Sequence, residues 1–135
     1  MRKEINFRAK SLKDGTWHYG FVIPFEDEIA LLYERSIDDQ TICGLTSIDV
    51  DQNTVGQFTG MYDKNGTPIY EDDIIRFVNG TKKNPDTGQW EENARYILVQ
   101  FVDGGFTNQS LFYASSAVEV KGNRFDNPQM VKGAM

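Results

Sequence analysis

The sequence predicts an all-β fold, a small barrel or sandwich of short strands, on three observations. Several runs alternate apolar and polar residues with a period of two. Turn signals separate them, among them Asp14-Gly15, Asn65-Gly66, Asn79-Gly80 and Gly104-Gly105. Aromatic residues make up 13% of the 135 residues, with nine Phe and six Tyr, and such side chains favour a pleated, half-buried surface.

Residues 4–10 alternate cleanly. Ile5, Phe7 and Ala9 share one face, and Glu4, Asn6, Arg8 and Lys10 the other. After the Asp14-Gly15 turn, Trp17, Tyr19, Phe21 and Ile23 share a face, and Trp17 and Tyr19 are assigned to the core. The two runs read as an antiparallel hairpin. Pro24 ends the second run, and residues 29–33 form a short apolar strand. Residues 34–53 are acidic and weakly patterned, and an irregular segment is expected there. Strands are expected at 54–62, 74–78, 95–102, 105–109 and 117–121. The polar stretch 79–92 reads as a long hairpin tip. Order is expected to end at Asn127-Pro128, with a loose tail beyond.

Three blocks carry a family resemblance. They are Arg2-Lys3-Glu4-Ile5-Asn6-Phe7-Arg8-Ala9, the run from Val55 to Gly66 continued by Ile69-Tyr70-Glu71-Asp72-Asp73-Ile74-Ile75, and the closing Gly122-Asn123-Arg124-Phe125-Asp126-Asn127-Pro128. The chain resembles the YopX family of bacteriophage and prophage proteins. Within the blocks, Gly56, Gln57, Phe58, Thr59, Gly60, Asn65 and Gly66 form the fold signature. Where the family usually has glycine before the Asp-Ile pair, this chain has Asp72, a residue type that tolerates left-handed geometry. The resemblance implies an SH3-like, partly open barrel from about Thr54, with an N-terminal β-hairpin extension. It implies no activity. The five strands just given suit such a barrel on their own. The expected organisation is a hairpin and acidic segment over 1–53, a barrel region over 54–128 and a tail over 129–135, together one compact unit.

Composition excludes several classes. Net charge is −6, unevenly spread: residues 1–25 carry +3, residues 26–63 carry −8 and residues 64–135 carry −1. No segment has the dense basic character of a duplex-binding domain. No apolar run approaches the ~20 residues of a membrane span, and the first residues lack the apolar stretch of a signal peptide. The lone Cys43 forms no internal disulfide, which fits a reducing cytoplasm.

Candidates for chemistry are few. His18 is the only histidine and Cys43 the only cysteine. His18 reads as an exposed strand residue and Cys43 as a small buried one. Asp49, Asp51 and Asn53 begin like a calcium loop, but Thr54 stands where glycine is needed and Gly60 where glutamate is needed. Glu26-Asp27-Glu28, Asp38-Asp39 and Glu71-Asp72-Asp73 read as solvated acids. No catalytic residue, metal site or cofactor is expected. Trp90, Tyr62 and Tyr70 are the candidates for a binding surface, Trp90 first. The functional expectation is a non-catalytic, cytoplasmic phage or prophage accessory protein that binds a host or phage protein. Two alternatives are a nucleic-acid-binding barrel edged by Arg2, Lys3, Arg8 and Lys10, and an acidic DNA-mimic inhibitor of a host enzyme.

Overall fold

The computed structural model describes residues 7–37, 43–102, 105–106 and 114–134. These residues form eleven strands and four short helical turns. All paired strands run antiparallel, in sheets that stay open, so the architecture is that of an all-β, partly open barrel. The chain divides into two compact units, Met1–Phe58 and Thr59–Met135.

In the first unit, β1 (Phe7–Lys10) pairs with β2 (Trp17–Glu26), with Ala9 opposite His18 and Lys10 opposite Trp17. The expected hairpin is therefore present. Its turn is closed by Gly15 N–H donating to the Ser11 carbonyl at 2.9 Å, and Gly15 takes φ of 73°. β2 pairs with β3 (Ile29–Ile37), which pairs in an unbroken nine-residue register with β4 (Cys43–Asp51). The expectation of an irregular segment from residue 34 is corrected here, apart from residues 38–42, which lie outside the described set. Thr46 to Asp51 alternates, with Ile48 and Val50 inward and Ser47 and Asp49 exposed. A 3-10 turn, Gln52–Thr54, follows, and β5 (Gly56–Tyr62) begins beside β1.

The core of this unit is Ala9, Ala30, Leu32 and Val50, with Val22, Ile48 and Val55 packed against it. Ala9 faces His18 and Leu32 faces Val22 across their ladders, so the inward face of β2 is that of His18, Gly20 and Val22. The face of Trp17, Tyr19, Phe21 and Ile23 points outward, and the assignment of Trp17 and Tyr19 to the core is overturned. The reason is curvature. Ser11 forms an isolated bridge with Val50, and Leu12 N–H donates to the Asp49 carbonyl at 3.0 Å, so the end of β1 curls back to β4. The concave side is tightest at Gly20. A Cβ at Gly20 would overlap the Tyr33 carbonyl oxygen.

In the second unit, the rest of β5 and β6 (Pro68–Tyr70) flank the Asn65-Gly66 turn, where Gly66 takes φ of 82°. β7 (Asp73–Lys83) pairs with β8 (Trp90–Leu98) on one side and with β11 (Val118–Asn123) on the other. β9 (Phe101–Val102) pairs with β10 (Gly105–Phe106), and α1 (Ala114–Ala117) precedes β11. Ile69, Ile75, Ile97, Val99 and Val118 form the core. A second cluster joins Ile74 and Leu98 to Met130 and Val131. The tail expected over 129–135 is instead ordered up to Ala134, in a 3-10 turn (Pro128–Met130) and α2 (Val131–Ala134), because Met130 and Val131 have a core to cover.

Candidate functional site

The strands β7 and β8 run well past the core as a two-stranded arm. Ile74 and Ile75 face Leu98 and Ile97 at the core end of the ladder, and Thr81, Lys82 and Lys83 face Glu92, Glu91 and Trp90 at the far end. A bulge at Asn79-Gly80 separates the two parts, with Gly80 at φ of 74°. From residue 79 to residue 93 every residue except Asn84 is exposed. The tip is held by its own bonds. Asn84 N–H donates to the Gln89 carbonyl, Gly88 N–H donates to the Asn84 carbonyl, both at 2.8 Å, and the Asn84 side-chain oxygen accepts from Asp86 N–H at 2.8 Å. The stretch 79–92, expected as a long hairpin tip, is a shorter tip over 84–89 on strands paired at 81–83 and 90–92. Both of its faces are wet, so no apolar alternation marks it.

Trp90 sits at the end of this ladder and is 69% exposed. Arg76 donates to Glu92 at 2.8 Å, and that guanidinium holds the Glu92 carboxyl below the usual range. The arm's charges are mixed: Lys82 and Lys83 against Asp86, Glu91 and Glu92. Of the other two candidate aromatics, Tyr62 is half-buried. Tyr70 is 3% exposed, so its candidacy for a surface is corrected: the residue is buried.

The fold-signature residues sit in turns and ladders. Thr59 donates its hydroxyl to the Ile69 carbonyl at 2.7 Å and accepts from Met61 N–H at 3.1 Å. Gly60 takes φ of 84°, while Gly56 and Phe58 are buried and Gln57 lies opposite Phe7 in the β1–β5 ladder. Asn65 N–H and Thr67 N–H donate to Asp63 Oδ1 at 2.8 and 2.9 Å, and Val120 N–H donates to Asp63 Oδ2 at 2.9 Å. Burial pushes the Asp63 carboxyl up, but these three backbone donors outweigh it and hold the group below its ordinary range. Asp72 takes φ of 74°, the left-handed geometry expected where the family has glycine. Asp73 Oδ2 accepts from Tyr70 N–H at 2.8 Å, and Arg124 N–H donates to the Asp72 carbonyl at 2.9 Å. The Asn123 side-chain oxygen accepts from Phe125 and Asp126 N–H, and Asn123 N–H donates to Asn127 Oδ1. The motifs behind the resemblance therefore close turns.

The reactive side chains fall elsewhere. His18 Nδ1 lies 3.1 Å from Glu34 Oε2, and its Nε2 lies 3.0 Å from Thr16 Oγ1. The connectivity matches a hydroxyl–imidazole–carboxylate chain, but the Thr16 proton goes to Asp14 Oδ1 at 2.7 Å. His18 is thus not placed to take that proton. The Thr16 hydroxyl and N–H hold the Asp14 carboxyl below its ordinary range. Asp51 caps the 3-10 turn by accepting from Asn53 N–H at 2.9 Å, which accounts for two of the calcium-loop candidates. Cys43 begins β4, and its side chain lies outside the described set. Among the described residues no three His, Cys, Asp or Glu side chains converge to hold a metal ion, and no helix is long and apolar enough to cross a membrane.

A feature the sequence reading missed is the outer face of β2. Tyr19, Phe21, Ile23 and Phe25 are 39%, 57%, 52% and 59% exposed. Apolar residues at nearly every position from 17 to 25 were the available signal: they cannot all be inward when successive side chains alternate.

No curated protein matches the chain. Among solved structures, the fold is similar to the crystal structure of protein EF1440 from Enterococcus faecalis, with TM-score 0.56 and 22% identity over 96% of this chain and 99% of that one. The family model described as YopX protein matches residues 6–132. The chain belongs to the YopX family.

Proposed function

We propose that this protein is a non-catalytic accessory protein of a phage or prophage that works in the host cytoplasm by binding another protein through the β7–β8 arm. The observation that carries the reading is Trp90: a large indole, 69% exposed, at the end of a paired and internally bonded ribbon. Tryptophan is the side chain most enriched at the energetic centre of protein interfaces. A preformed ribbon offers it with little ordering entropy to lose. Lys82 and Lys83 beside Glu91 and Glu92 provide a rim of both signs, which suits a protein surface better than a phosphate backbone. Two of the four bases proposed to edge a nucleic-acid groove, Arg8 and Lys10, stack on Trp17 at 4.5 and 5.4 Å from its ring centroid, and Arg8 is buried. That favours protein over nucleic acid as the partner.

The test is a pull-down from host lysate with the wild type and with Trp90→Ala. The expected result is one or more specific proteins held by the wild type and lost by the variant. Identical captured sets, or none with either bait, overturn the proposal.

A further inference from the structure

We propose that the outer face of β2 is a self-association face, on which a second copy of this chain seats with its own β2 antiparallel to the first. This surface lies in the first unit and is independent of the arm.

Three observations carry it. The first is area. Tyr19, Phe21, Ile23 and Phe25 are each 39–59% exposed on one strand. Phe21 faces Tyr33 and Ile23 faces Leu31 across the ladder, both of those half-buried, so the patch continues onto β3. With ~150–250 Å² available per aromatic side chain, four half-exposed residues present roughly 350–400 Å². A contiguous apolar patch of that size marks a contact surface. It also supplies about the apolar half of the ~800 Å² that each partner contributes to a stable interface.

The second is charge. β2 has a basic end and an acidic end. Lys10 lies opposite Trp17, and Lys13 stands in the turn before it, whereas Glu26, Asp27 and Glu28 follow Phe25. The acidic turn and Lys13 are exposed. A two-fold axis across β2 at Val22 sets Tyr19 over Phe25 of the second copy and Phe21 over its Ile23. The same operation sets Trp17, and with it Lys10, at the level of the other copy's Asp27. Each acidic turn then meets the end that carries Arg8, Lys10 and Lys13 against Asp14, net positive, and the contact occurs twice because the interface is isologous. A parallel seating places acid on acid and is selected against.

The third is shape. On the inner side Ala9, Ala30, Leu32 and Val50 already fill the core, and a Cβ at Gly20 would overlap the Tyr33 carbonyl oxygen, so the aromatic bulk of β2 lies on its outer face. Tyr19, Phe21, Ile23 and Phe25 thus keep 39–59% of their surface uncovered in the monomer.

The test is sedimentation equilibrium of the full chain over a concentration series. The expected result is a reversible doubling of the 15.4 kDa mass, weakened by salt. Phe21→Thr with Ile23→Thr, folded by circular dichroism, is expected to be monomeric. Reversing the acidic turn (Glu26→Lys, Asp27→Lys, Glu28→Lys) is expected to weaken the dimer by roughly tenfold or more, as is Lys10→Glu with Lys13→Glu. All five reversals in one chain are expected to restore it. A wild type that stays monomeric overturns the proposal, whatever else binds the face. So does a dimer that survives the threonine pair, or one that the combined reversals fail to restore.

Discussion

Replacing Asp63 with alanine removes one carboxylate that closes the β5–β6 turn and ties it to β11. In the wild type the group is 4% exposed and accepts backbone N–H bonds from Asn65, Thr67 and Val120 at 2.8–2.9 Å. Hydrogen bonds to a charged group are worth about 1.5–3 kcal/mol each. Asn65 and Thr67 lie in an exposed turn, so water replaces much of what their amides lose. Val120 is half-buried, and its amide keeps the larger part of the penalty. The expected loss is roughly 3 kcal/mol, or a fall in Tm of about 10 °C. Asp63→Asn is expected to lose roughly 2 kcal/mol, because the amide keeps one acceptor but turns a donor toward the remaining N–H. The pH dependence gives a second readout. The folded-state pKa of Asp63 is depressed, so its contribution is complete above the ordinary carboxylate value of ~3.9 and is lost as pH falls through that value to the lower folded one. Urea titrations from neutral pH down to that range are expected to show a shallower acid loss in Asp63→Asn than in the wild type. A variant within about 1 kcal/mol of the wild type, with an unchanged acid limb, refutes the reasoning.

Gly20→Ala is expected to destabilise by about 2–4 kcal/mol in chemical denaturation, because the new methyl meets the Tyr33 backbone carbonyl in a paired strand that cannot yield; a loss under about 0.5 kcal/mol counts against the inward placement of that face. Asp72→Gly is expected to stay within about 1 kcal/mol of the wild type, since relief of the left-handed strain offsets the Arg124 contact at 3.4 Å, whereas Asp72→Val is expected to lose roughly 2 kcal/mol or more. Equal effects of glycine and valine at that position remove the backbone explanation.

Much of the second unit was legible from short apolar runs bounded by turn signals, although the core ends of β7 and β8 are buried on both faces. Ile75, Ile97 and Val99 declare themselves by alternation, and Asn65-Gly66 and Asp72 declare turns by the backbone angles they tolerate. The first unit hid its sense. In β2 the apolar residues occupy both parities, so the pattern predicts a strand without saying which side is inside, and aromatic bulk pointed to the wrong one. The deciding fact, the Ser11–Val50 bridge that curls the sheet, is non-local and leaves no local trace. The strand β4 was missed for a different reason: its outward Ser47, Asp49 and Asp51 made the segment look merely acidic. At the candidate site, Trp90 was legible as an exposed aromatic, but the ribbon that presents it was not.

The bulge at Asn79-Gly80 has a consequence for how such a chain can diversify. Beyond Val78 and Ala94 no arm residue belongs to either apolar cluster, so changes there leave the folding equilibrium of the body almost untouched. Side chains alternate along the ribbon, so adding one matched pair to its two strands turns the terminal indole to the opposite side, and adding two pairs extends its reach with the aim kept. A lineage of these proteins can thus lengthen or retip a single appendage while the scaffold stays the same.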